Sequence, residues 1–191
     1  ISPEAVVESD WAFRRALASE MIDRAARENV AFHLAMLHAA LGNWETVDSL
    51  CRTIVRAAEA ETGGPISPQH LEFADLCFSY GNTARARALY GPMAAHWQLN
   101  PGDPSRAAPN HIALIRLGIM AQQVGNLRQA RYFLTRALDS LTPEIADPDT
   151  RLAELLLADP ASASAAEEYL QVVRGRAEES DRGLGATLSL P

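Results

Sequence analysis

The sequence predicts an all-α chain built from helical hairpins. Three observations carry that expectation. Apolar residues recur with a period near 3.6 along most of the chain. Strictly alternating β-branched clusters and Asn-Gly or Asp-Gly hairpin signals are missing. A Gly-Asn pair recurs at Gly42, Gly81 and Gly125, each time between two helix-length apolar patterns. Hydrophobic residues make up 48% and charged residues 21% of the 191, enough apolar material for a core and too much for wholesale disorder. No apolar run approaches the ~18 residues that a membrane-spanning helix needs.

The first element is a helix over 3–27, where no Gly or Pro interrupts Val7, Leu17, Met21 and Ala25. A hairpin over about 28–61 follows, turning at "ALGNWE". The Pro/Gly-rich break "AETGGPISP" leads to a second hairpin, 67–100, turning at "SYGNTA". The break "NPGDPSRAAPN" leads to a third, 111–144, turning at "QVGNLR". In each turn the Gly supplies a left-handed helix cap at little steric cost. After "TPEIADPD" a degenerate fourth hairpin is expected at about 149–175, with "ADPAS" in place of the Gly turn. Asp147 and Asp149 bracket a Pro there and read as a turn and helix cap. Residues 180–191 read as a tail.

Aligning the hairpins on their glycines exposes a repeat. Leu34, Phe73 and Leu117 coincide, as do the small residues Ala35, Ala74 and Gly118. Downstream, Val47, Ala86 and Ala130 coincide, then Cys51, Tyr90 and Leu134, then Ile54, Met93 and Ala137. Small residues let two helices approach, and large ones fill the gap between successive hairpins. The pattern resembles the tetratricopeptide repeat, a helix-turn-helix unit of about 34 residues. The third copy fits best, with Leu117-Gly118, Gly125, Ala130, Ala137 and Pro143. The first carries Trp44 where the family often has an aromatic, and the second has Thr83 there. The turn glycines are 39 and 44 residues apart, above the family's spacing, which lengthens the loops between hairpins. The resemblance implies an α-solenoid of such hairpins occupying 1–191 as one domain.

The formal charge is −7, and all 17 basic residues are Arg. Arg without Lys, beside abundant Ala, is what a GC-rich bacterial genome would produce. An acidic chain is a poor duplex nucleic-acid binder, because that affinity rests on neutralising phosphates. The charge runs −4 over 1–61, +3 over 62–141 and −6 over 142–191. Cys51 and Cys77 form no CxxC, lack a His at ligand spacing, and read as buried free thiols. Two cysteines do not decide between a cytoplasmic and a periplasmic setting. A chain starting at Ile1 rather than Met is expected of a processed protein or of a piece of a longer one.

Chemistry-bearing motifs are scarce. His33 and His38 are five residues apart, about 140° around a helix, so they do not share one face for a metal. No HExxH, GxSxG, P-loop or Rossmann glycine pattern is present. The expectation is a chain without catalysis, cofactor or metal.

The resemblance also implies a concave groove lined by the first helix of each hairpin. Projected onto it, the groove residues are Phe32 and Met36, then Leu71, Asp75 and Phe78, then Ile112, Ile115, Ile119 and Gln122. Family members that clamp a chaperone's terminal carboxylate use Lys, Arg and Asn there; Phe32, Met36 and the lack of Lys speak against that mode. The apolar stripe should be covered, since soluble monomers avoid large exposed patches. Its occupant is either the chain's own terminal helix or an amphipathic helix or extended peptide from a partner or second copy. The resemblance thus implies a protein–protein interaction scaffold, such as serves bacterial envelope, secretion or polysaccharide-export assemblies. The alternatives are a regulatory or docking module of a longer enzyme, such as a glycosyltransferase or sulfotransferase, and the signal-receptor domain of a transcription activator.

Overall fold

The computed structural model describes residues 3–19, 21, 23–62, 68–99, 104–143 and 145–187. Among these, nine helices and no strand are found. The chain divides into two compact units, Ile1–Pro92 and Met93–Pro191. The first unit holds α1 (Pro3–Leu17), α2 (Arg24–Ala40), α3 (Trp44–Thr62), α4 (Pro68–Ser79) and the first part of α5 (Thr83–Leu99). The second continues with α6 (Pro104–Gln123), α7 (Leu127–Asp139), α8 (Arg151–Leu156) and α9 (Ala163–Thr187).

The three Gly-Asn turns have one geometry. Gly42, Gly81 and Gly125 take φ of 72°, 78° and 75°, a region L side chains enter only with strain. At the first turn Asn43 N–H donates to His38 O at 2.9 Å and Gly42 N–H to Ala39 O at 3.0 Å. Asn82 to Cys77 and Gly81 to Phe78 repeat the pair at the second, and Asn126 to Ala121 and Gly125 to Gln122 at the third. This is the Schellman arrangement, which satisfies the last carbonyls of the ending helix. Each Asn then caps the next helix. Its Oδ1 accepts from Thr46 N–H at 3.5 Å, Arg85 N–H at 3.2 Å and Gln129 N–H at 3.1 Å in turn. Two adjacent residues therefore stop one helix and start its antiparallel partner.

The aligned positions are interior. Leu34, Phe73 and Leu117, Ala35 and Ala74, Val47, Ala86 and Ala130, and Tyr90 and Leu134 are all buried; Cys51 is partly buried. In the first unit Ala31, Ala35, Ala39, Val47, Ile54, Val55, Phe73 and Leu76 form one core cluster, on which Leu17 packs from α1. Arg85 joins α5 to α3 through two 2.7 Å hydrogen bonds to Asp48, its guanidinium 5.7 Å from the Trp44 ring. In the second unit the small Gly118 faces Leu152 of α8.

Three boundaries differ from the sequence expectation. The helix expected over 3–27 ends at Leu17, and α2 starts at Arg24. Asp23 makes the new start, accepting Ala26 N–H at 2.8 Å, while Ser19 Oγ accepts Met21 N–H at 3.2 Å across the break. The 100–110 break is partly helix, because α6 starts at Pro104 and runs through Pro109. Pro104 opens the helix, where its missing N–H costs nothing. Of the expected tail, 180–187 continue α9, in a stretch free of Pro, and 188–191 lie outside the described residues. The fourth hairpin has the short first helix expected of it, α8, and turns between α8 and α9 without a Gly. Ahead of α8, Asp149 accepts Arg151 N–H at 3.0 Å.

Candidate functional site

The candidate groove residues of the first unit lie on two neighbouring helices, α2 and α4. Phe32 is half-buried, its ring edge-on to Phe73 at 5.6 Å. One turn on, Met36 is 37% exposed. On α4, Leu71 and Phe78 are half-buried. Asp75 is engaged within its own hairpin, its Oδ1 accepting the Tyr90 hydroxyl at 2.5 Å. The result is a strip of partly open apolar side chains, with Met36 its most accessible member.

The second unit is different. Ile112 and Gln122 are half-buried, but Ile115 is 0% exposed and Ile119 is also buried. The projected offset puts Ile115 on the groove floor, apart from the core residues Leu114 and Leu117. Instead all three are interior. A partner cannot touch Ile115 or Ile119 in this arrangement. A charge at Ile115 would be buried, at a cost of several kcal/mol.

Sequence reasoning missed two features. The first is a mainly apolar cleft of about 490 Å³ lined by Leu17, Ala31, Leu50 and Ile54, with Arg27, Glu28, Ser49 and Thr53 among its polar lining. It follows from the break after Leu17, which Asp23 preceding an apolar-periodic stretch could have signalled. The second is the outer face of α1, where Val7 and Trp11 are 69% and 59% exposed beside Glu4 and Glu8. The inner face of α1 is held by Asp10, whose Oδ1 lies 2.8 Å from His38 Nε2, and by Phe13 stacked on His33 at 6.4 Å. Asn43 of the first turn donates to His38 Nδ1 at 3.2 Å, which leaves Nε2 to carry the proton given to Asp10. The Arg14 hydrogen bond, joined by that of His38, holds the Asp10 carboxyl below its usual range.

The most developed polar network is in the second unit. His111 of α6 is buried, with Nδ1 3.2 Å from Ala137 O and Nε2 2.9 Å from the Tyr169 hydroxyl. An imidazole protonated at Nδ1 donates to Ala137 and accepts from Tyr169. The Tyr169 hydroxyl also lies 3.1 Å from Asp149 O, to which its proton can turn. Asp149 takes Arg116 at 2.8 Å and Arg151 at 2.5 Å. Burial works to raise the Asp149 pKa, but the hydrogen bonds and charge of Arg151, with Arg116, bring it below its usual range. Burial lowers the His111 pKa and raises that of Tyr169. With both rings buried, the network ties α6, α7 and α9 to the 141–150 connection.

Among the described residues no three His, Cys, Asp or Glu side chains gather as a metal site requires. No described helix is long and apolar enough to cross a membrane. Compared with known proteins, the chain matches no family model, no curated protein and no solved structure.

Proposed function

We propose that this protein is a non-catalytic interaction scaffold of tetratricopeptide-like hairpins, stacked as an α-solenoid, that binds a helix or extended peptide of a partner protein. The observation that carries the reading is the thrice-repeated turn. The same left-handed Gly, the same pair of Schellman bonds and the same Asn cap recur with the same interior positions around them. Repeated hairpins of this kind build extended surfaces, and such surfaces bind proteins. The accessible part of the surface is the α2–α4 strip of Phe32, Met36, Leu71 and Phe78, an apolar lining suited to an amphipathic partner. The proposed setting is a bacterial multiprotein assembly of the envelope, secretion or polysaccharide-export kind.

Affinity purification of the tagged chain from its native cells, with quantitative mass spectrometry, tests the reading. Wild type should enrich a defined partner that Met36→Glu loses, the two proteins having equal melting temperatures. Enrichment of the same proteins by both forms would remove the strip from consideration.

A further inference from the structure

We propose that the cleft between the end of α1 and the α2–α3 hairpin binds a small zwitterion with an apolar body, an amino acid or dipeptide with branched or aromatic side chains. The cleft measures about 490 Å³, within the ~300–1,000 Å³ usual for small-molecule sites. Leu17 of α1, Ala31 of α2, and Leu50 and Ile54 of α3 give it apolar walls. All four belong to the core of the first unit or pack against it, so the walls are fixed by the fold.

The charges of the lining select the ligand. Among the described residues that line the cleft, the charged ones are Arg27 and Glu28. They are neighbours on α2, about 100° apart around the helix, and bring opposite charges to one cavity. Arg27 Nη2 donates to Ser19 O at 3.3 Å, a carbonyl that holds the guanidinium without neutralising it. The other N–H groups of that guanidinium suit a carboxylate. Glu28 Oε2 accepts Gln69 Nε2 at 2.9 Å, and a carboxylate can accept further donors. Burial, joined by the charge of Glu28, holds the Glu72 carboxyl above its usual range, so the field beside Glu28 is negative and suits an ammonium. Thr53 donates its hydroxyl proton to Ser49 O at 3.0 Å and adds no charge.

A fatty acid would match Arg27 but bring no positive charge to Glu28, and an alkylamine would do the reverse. A zwitterion meets both, and its apolar side chain covers Leu17, Leu50 and Ile54. An adjoining hollow of about 380 Å³ shares Leu17, Ser49 and Leu50 and gives room for a second residue. Arg14, which lines that hollow, is paired with Asp10 at 2.8 Å.

Calorimetric titration of the full chain with leucine, isoleucine, phenylalanine and the dipeptide Leu-Leu tests the site. At least one should bind with a dissociation constant on the order of 1 mM or tighter. The N-acetylated form of that ligand lacks the ammonium and its amide lacks the carboxylate; each should bind roughly tenfold or more weakly. Arg27→Gln and Glu28→Gln should each weaken the zwitterion by a similar factor at unchanged helicity. In Arg27→Gln, amidating the ligand should cause no further loss, and in Glu28→Gln acetylating it should cause none. Should a variant lose helicity, the blocked ligands on wild type decide. Binding of Leu-Leu alone supports the proposal and assigns the adjoining hollow to its second residue. A panel that does not bind, blocked forms that bind as well as the zwitterion, or a folded variant that binds as wild type does overturns it. The scaffold reading survives each of these, because Phe32, Met36, Leu71 and Phe78 do not line the cleft.

Discussion

The hydroxyl of Tyr169 sits 2.9 Å from Nε2 of His111, and the two rings stack 6.0 Å apart with 11° between their planes. The contact spans 58 residues of sequence and joins α9 to α6. Tyr169→Phe keeps the ring stack but strips the buried imidazole of its donor and the Asp149 carbonyl of its hydroxyl. Leaving buried polar groups unsatisfied costs ~1–3 kcal/mol. Chemical denaturation should show that loss with helicity retained. A variant as stable as the parent would mean the hydroxyl contributes nothing.

His111 should also make stability fall in mild acid. Burial holds its folded pKa below the ordinary 6.5, so below that pH the unfolded chain takes up a proton the folded chain refuses. Its contribution is complete above pH 6.5 and is lost progressively as pH falls beneath it. Asp10 and Asp149 act lower down. Their folded pKa values lie below 3.8, so their contribution is present above that pH and disappears beneath it. Unfolding free energies of wild type and His111→Gln, measured between about pH 7.5 and pH 5, should differ in slope, the variant being flatter. Parallel curves would contradict the assignment.

Gly118 should resist enlargement. A Cβ there would run into Cδ2 of Leu152, a side chain with no exposed surface of its own. Gly118→Leu should cost ~1–3 kcal/mol through overpacking. Combining it with Leu152→Ala should cost less than the two losses added, because the second change makes room for the first. Strict additivity in thermal melts would show that the two sites do not touch.

The turns should be equally specific. Gly125→Ala forces an L residue to φ near 75°, at a cost of ~1–2 kcal/mol. Asn126→Ala removes the Oδ1 that caps α7 and should cost about 1 kcal/mol. Gly175→Ala serves as the control, since it lies inside α9 with open space around it and should stabilise slightly. Losses at Gly125 no larger than the change at Gly175 would deny the left-handed cap.

The hairpins were legible because local chemistry makes them: a glycine that must turn left-handed and apolar residues at helical spacing. The aligned interior positions followed from the same glycines. The end of α1 was not legible from Gly or Pro alone, since the break is made by Ser19 and Asp23 taking backbone N–H groups. Pro109 misled because α6 starts five residues before it, at Pro104, and runs through it. The groove was legible only in part. An offset from a turn tells which side of a helix a residue occupies, and so grouped Phe32 with Met36. It does not tell what covers that side, and Ile115 and Ile119, which their offsets place on the groove floor, lie buried within the chain.

The accessible strip on α2 and α4 is therefore where the scaffold reading stands or falls. The most direct measurement is calorimetric titration of the recovered partner, or of its binding segment, into wild type, Met36→Glu and the control Met21→Glu. Met21 lies outside the helices and is almost fully exposed, so the control adds the same charge away from the strip. The account predicts that Met36→Glu weakens binding roughly tenfold or more, as the loss of a contact anchor worth ~1.4 kcal/mol or above would do. Met21→Glu should bind as wild type does, and all three should melt together. Equal affinity for wild type and Met36→Glu would contradict it.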